Sequence, residues 1–174
     1  MKRILVVTVL LALLIVSVGA QTPTDVENFQ EKMSRHLETK FPGWKHKRDE
    51  PIQGSKNVVI QRWTFSNRVV SISIVPHKSA DEAREAIQNF VRADPAREAL
   101  AGMGDEAYAW GYGLSEVVFR RGKMNIYIST YADVESDADA SSLSSRQKGE
   151  RAQSEMKRLS REFAKHVATA ADEP

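Results

Sequence analysis

The residues best suited to binding are aromatic. Tyr108, Trp110 and Tyr112 alternate with Ala107, Ala109 and Gly111, so in a strand these three rings share one face. Tyr127 and Tyr131 fall on the face of a later segment opposite Ile126, and Trp63 shares a face with Phe65 in an earlier hairpin. Rings with polar tips suit both the edge of a core and a binding surface. Two arrangements are open. Either helices cover these rings as a second layer of core, or they line an aromatic–polar cleft for a glycan, a peptide or a small apolar molecule, with Arg62 or Arg120 at its rim.

Other chemistry leaves no local signature. His36, His46, His77 and His166 lie on two helices and two loops without metal-ligand spacing. No Gly-x-Ser-x-Gly elbow, phosphate-cradling loop or dinucleotide glycine run occurs, so the sequence nominates no catalytic residue, no metal and no cofactor. Asp133, Glu135, Asp137 and Asp139 alternate as calcium ligands do, but the sixth position is Ala138 rather than glycine and the twelfth Ser144 rather than glutamate. A solvated acidic loop is the expectation there. Lys45-His46-Lys47-Arg48 beside Trp44 would suit an anionic partner, yet Asp49 and Glu50 follow at once, and a solvated linker is expected.

The elements that must position these residues follow from periodicity. Thr24-Asp25-Val26-Glu27 matches a capping box, and Val26, Phe29, Met33 and Leu37 then recur at helical spacing. This predicts a first helix over about residues 24–40, stopped by Pro42-Gly43. Residues 42–57 read as a polar connector. Residues 58–65 and 69–75 are rich in β-branched and aromatic side chains around Ser66-Asn67, which predicts a hairpin whose second strand turns Val70, Ile72 and Ile74 to a core. Ser79-Ala80-Asp81-Glu82 is a second capping box, opening a helix to about residue 93, followed by a loop over 94–105. Strands are expected over about 106–112, 114–121 and 124–131, with Met124, Ile126 and Ile128 on one face. Residues 132–146 are rich in Ser, Ala and Asp and read as a mobile loop that buries little. A closing helix over about 145–170 carries Ala152, Met156, Leu159, Phe163 and Val167 on one stripe, with Arg151–Glu155 and Arg158–Glu162 pairs outside.

The order α-β-β-α-β-β-β-α predicts an α+β fold, an antiparallel sheet of about five strands packed against three helices. If all three helices cover the Ile72/Ile126 face, the opposite face is wet or ligand-covered. If they divide, both faces are buried.

Gly104-Asp105-Glu106-Ala107-Tyr108 followed by Val117-Val118-Phe119-Arg120-Arg121-Gly122 resembles the meander of small exported bacterial domains, many of unknown function. Similar strings occur in extracellular sensor-type domains of bacterial receptor kinases and in cell-envelope lipoproteins. The element order resembles the Mog1/PsbP-like sandwich. The motif match covers residues 102–131, and what it implies is fold rather than activity. Membrane tethering is not implied, because the acylated cysteine of the lipoproteins and the spanning segment of the receptors are missing. In physical terms, Asp105 can bond backbone amides at the turn, and Arg120 or Arg121 can pair with Asp105 or Glu106.

The amino terminus reads as an export signal. Lys2 and Arg3 precede an apolar run over residues 4–18, and Val18-Gly19-Ala20 offers a cleavage site after Ala20. The run is shorter than the ~20 residues that cross a bilayer comfortably; a retained anchor, tilted or in a thinned bilayer, is the alternative. Of 174 residues, 25 are basic, 23 acidic and none is cysteine. Setting aside Lys2 and Arg3 equalises the charges, which argues against a nucleic-acid partner. The empty cysteine count excludes disulfide scaffolds, thiol catalysis and lipidation at cysteine.

The expectation is an exported protein, secreted or periplasmic, forming one α+β domain over residues 21–174 that is monomeric or weakly associating and acts by binding. Its expected ligand residues are Trp63, Tyr108, Trp110, Tyr112, Arg120, Tyr127 and Tyr131, and its partner a small molecule, glycan, peptide or envelope protein. No stable membrane anchor is expected after cleavage. A hydrolase-type enzyme without a local motif and a structural accessory of an envelope complex are the alternatives.

Overall fold

A computed structural model describes residues 25–50 and 58–172. The expected signal segment, its cleavage site and Thr24 of the first capping box lie outside the described residues. Helix α1 (Asp25–Lys40) buries Val26, Phe29, Met33 and Leu37, the residues its periodicity selects. The chain leaves it through a bond from Phe41 N–H to Leu37 O (2.8 Å) and turns at Pro42-Gly43. Strand β1 (Lys45–Asp49) comes next, then β2 (Val59–Phe65) and β3 (Arg68–Pro76) as a hairpin. Helix α2 (Ala80–Arg92) is capped by Ser79, whose hydroxyl accepts from Glu82 N–H (3.1 Å), while the Glu82 carboxylate accepts from Lys78 N–H (2.9 Å). Strands β4 (Glu98–Ala99), β5 (Glu106–Trp110), β6 (Glu116–Arg121) and β7 (Met124–Ala132) precede the closing helix α3 (Ser145–Asp172).

The fold is α+β, with three helices and an antiparallel sheet of seven strands among the described residues, in the order β1-β2-β3-β7-β6-β5-β4. The expected count of about five is too low. β1 was hidden inside the supposed connector because Lys45, Lys47 and Arg48 carry no apolar alternation, and charged side chains are a usual device on an edge strand. β4 is only two residues long and lies inside the supposed loop 94–105.

Register sets the faces. β3 and β7 pair along nine residues, with Ile72 opposite Ile128 and Ile74 opposite Ile126, and all four are buried. Val70, Trp63, Gln61, Val117 and Phe119 lie on this same face. α1 and α3 cover it, with Leu159, Phe163 and Val167 fully or almost fully buried and Ala164, Ala168 and Ala170 small enough to let elements approach. Each large side chain so buried contributes roughly 1.5–3 kcal/mol against the entropy of folding. α2 lies on the other face, where Ile87 and Val91 meet Val118. The helices therefore divide, two on one face and one on the other.

Two local departures bear on the site residues. β5 stops at Trp110 rather than at 112, because Gly111, Gly113 and Leu114 all take positive φ (75°, 64° and 57°). Extended backbone needs negative φ, so this run takes the chain out of the sheet, and glycine at two of the three positions lowers the strain. Residues 132–146 bury more than expected: Val134 and Ala140 are 3% and 1% exposed, and the segment is clamped by arginines described below.

Candidate functional site

The structure does not bring the seven expected ligand residues together. Trp63 belongs to the other face of the sheet, opposite Val70 in β3 and fully buried beneath α1 and α3. Tyr112 sits in the turn after β5 and points to solvent, 79% exposed, and Tyr131 is exposed near the end of β7. Tyr108, Trp110 and Tyr127 do share one face, but α2 lies over it. Phe90 of α2 packs edge-on against Trp110 (ring centroids 4.5 Å) and Tyr127 (5.0 Å). The Tyr108 hydroxyl donates to Glu106 (2.8 Å), which raises its pKa, and burial raises that of Tyr127. The Trp110 indole N–H is buried with no partner. These rings are a second layer of core.

Arg120 is likewise structural. It is 6% exposed, and its Nη1 donates to Asp105 Oδ2 (2.8 Å) and to Gly122 O (3.1 Å). Asp105 Oδ2 also accepts from Gly122 N–H (2.8 Å), and Asp105 N–H donates to Arg120 O (2.8 Å). Gly104 makes this possible: at φ +58° a Cβ would stand 2.3 Å from Arg120 O. The motif that carried the family resemblance is thus a clamp between β5 and the β6–β7 turn. Arg62, the other expected rim residue, pairs with Asp49 Oδ2 at 2.7 Å.

An open aromatic cleft does exist, elsewhere. Trp44, just before β1, and Phe65, at the end of β2, stack at 5.7 Å and 24°. Phe65 is 49% exposed, one of the largest apolar side chains on the described surface. Behind it the rings continue inward: Trp44 meets Phe163 edge-on (5.0 Å), and Phe163 stacks on Phe41 (3.9 Å). The facing wall comes from β3 and α3. Arg68 forks onto Asp137 (2.7 and 2.8 Å) and reaches Glu155 at 3.6 Å; Arg158 donates to both oxygens of Glu155 (2.9 and 3.0 Å) and to Glu162 (2.6 Å). Arg151 turns to Asp137 and Asp139 instead of the expected Glu155. These bonds hold the Glu155, Asp137 and Asp139 carboxyls below their ordinary pKa, through Arg158, Arg68 and Arg151 respectively. The cleft encloses about 430 Å³, within the ~300–1,000 Å³ usual for small-ligand sites. Sequence reasoning missed Trp44 because it placed it in a linker. The available signal was the two-residue spacing Trp44, His46, Arg48, which in an edge strand sends all three to one face.

A second, polar groove of about 530 Å³ runs between α1 and β1, lined by Glu31, Ser34, Glu38, His46 and Arg48 among others. Its floor is a bonded chain whose donor roles are forced. The Trp63 indole can only donate, and it donates to Gln61 Oε1 (3.1 Å). The Gln61 amide nitrogen therefore faces Ser34 Oγ (2.7 Å) and His46 Nδ1 (2.9 Å). His46 Nδ1 must accept, so its proton sits on Nε2 and goes to Glu38 (2.8 Å). The Ser34 hydroxyl donates to Gln30 O (2.8 Å). Gln61 thus stands between serine and histidine, and both imidazole nitrogens are occupied. This is not a nucleophile–base pair, which needs direct contact. Among the described residues, no three His, Asp or Glu side chains converge as metal ligands, and no helix is long and apolar enough to cross a membrane.

No family model, no curated protein and no solved structure matches this chain.

Proposed function

We propose that this chain is an exported binding module of the periplasm or cell envelope, with Mog1/PsbP-like architecture, that acts without chemistry of its own through the Trp44–Phe65 cleft. The observation that carries this reading is Phe65, half exposed on Trp44 and facing a wall of ion-paired arginines and glutamates. A half-exposed ring stacked on a second one offers a flat apolar surface on which a ligand can lie, beside polar groups that can orient it. The bonded state of His46 and Ser34 supports binding over hydrolysis, because neither presents a free reactive atom. Export rests on the arrangement of residues 1–20, with the mature chain starting at Gln21.

Trp44 supplies the test. Ligand stacking changes its fluorescence, whereas Trp63 is buried in the core and Trp110 lies beneath α2. Fluorescence titration and thermal shift against glycans, peptides and lipids should find a ligand that Phe65→Ala loses while keeping the wild-type circular dichroism. Equal affinity of that ligand for both proteins would overturn the proposed site. Amino-terminal sequencing of exported protein should read from Gln21, and a product still starting at Met1 would overturn the cleavage.

A further inference from the structure

Taking the cleft as the binding site, we infer that its ligand is a neutral glycan, with the hydrocarbon face of a sugar ring lying on Phe65 and Trp44. The floor is a stacked pair of rings, one of them half exposed. It calls for a ligand with a flat apolar face. The wall is polar but charge-balanced: Arg68 and Arg158 stand against Glu155 and Glu162, each bonded or close to the next. An anionic ligand would meet Glu155 and Glu162, and a cationic one would meet Arg68 and Arg158. A wholly apolar ligand would strip water from four charged groups and return no hydrogen bond. What remains is a molecule apolar on one face and rich in neutral hydroxyls at its rim.

The wall has bonding capacity to spare in both senses. A carboxylate has about four acceptor positions and a guanidinium five donors, more than the bonds Arg158 makes to Glu155 and Glu162 consume. The donors and acceptor positions left over can bond neutral hydroxyls at the rim of a ligand. The ion pairs also fix the wall in place before a ligand arrives, which lowers the ordering cost of binding.

The probes are soluble neutral hexasaccharides (a malto-, a cello- and a chito-oligomer), an acidic uronate oligomer and a basic peptide, titrated calorimetrically into the full protein. At least one neutral oligomer should bind, with an affinity nearly constant between about 50 and 500 mM salt, since no net charge is neutralised. Phe65→Ala should weaken it by about tenfold or more, Phe65→Tyr should restore it, and Arg158→Gln should weaken it without loss of fold. If only the acidic oligomer or the peptide binds, losing affinity with salt and in Phe65→Ala, the neutral-glycan assignment falls and the cleft stands. If a ligand binds Phe65→Ala as it binds wild type, the cleft itself falls. If none of the neutral oligomers binds, the glycan assignment is overturned.

Discussion

Replacing Gln61 with leucine tests the deduction that one buried amide dictates the hydrogen bonding of three other side chains. Gln61 is 1% exposed and Trp63 fully buried, so the indole N–H in Gln61→Leu has no water to turn to. A stranded buried donor costs about 1–3 kcal/mol. Ser34 keeps its bond to Gln30 and loses only an accepted one, while half-buried His46 can partly rehydrate; together these add about 1 kcal/mol. The extra buried hydrocarbon returns about 0.8 kcal/mol. The balance is a loss of roughly 1–3 kcal/mol, which for a chain of this size lowers Tm by roughly 3–10 °C. Thermal and urea unfolding followed by circular dichroism at neutral pH would measure it. The double variant Gln61→Leu/Trp63→Phe is the sharper arm. Phenylalanine has no N–H to strand, so the double should cost at least about 1 kcal/mol less than the two singles summed. Additive singles, or a Gln61→Leu protein within about 0.5 kcal/mol of wild type, would refute the assignment of donors.

Gly104→Ala should cost more than about 2 kcal/mol, since the new Cβ meets Arg120 O at 2.3 Å, whereas Gly102→Ala, with open space around it, should cost only about 1; equal losses in urea unfolding would contradict the clamp. Trp110→Phe removes a buried N–H that has no partner, so it should be tolerated better than Trp63→Phe, which strands Gln61 Oε1, by about 1 kcal/mol; the reverse order by chemical denaturation would be decisive against this. Burial, then His36 and Lys40, hold the His166 pKa below its ordinary value. The unfolded chain therefore takes the proton first, so stability is full above about pH 6.5 and declines as pH falls through the folded value. His166→Phe should flatten that slope in Tm measured from about pH 8 to 5, and an unchanged slope would exclude His166 as its source. Arg68 holds the Asp137 carboxyl below its ordinary value, a stabilisation present above about pH 4 and lost as pH falls through the folded pKa. The destabilisation by Arg68→Leu should therefore be largest near neutrality and fade in acid unfolding; a penalty independent of pH would remove the ion pair as its cause.

The three helices and strands β2, β3, β5, β6 and β7 were legible because their signals are local. Val26, Phe29, Met33 and Leu37 declare a helix face, and Val70, Ile72 and Ile74 a strand face, whatever the rest of the chain does. The shared face of Tyr108, Trp110 and Tyr127 was legible for the same reason. β1 was not, because an edge strand with one face open to water needs no apolar alternation, and its Lys and Arg read as linker. Nor could the end of β5 be placed, since Tyr112 keeps the alternation and only the run of positive φ around it breaks the strand.

The sequence by itself determined which residues face which way within each element, because the pleat and the helical turn are properties of a few consecutive residues. It also determined the charge balance and the lack of any thiol chemistry. Only the tertiary structure decided which faces meet. The seating of α1 and α3 on the β2–β3 face put Trp63 in the core, the seating of α2 covered Trp110 and Tyr127, and the approach of α3 to the β2–β3 hairpin set Arg158 across from Phe65. Those meetings join side chains tens of residues apart, and what selects them is the burial of whole helix and sheet faces against one another, a quantity no short stretch of sequence contains.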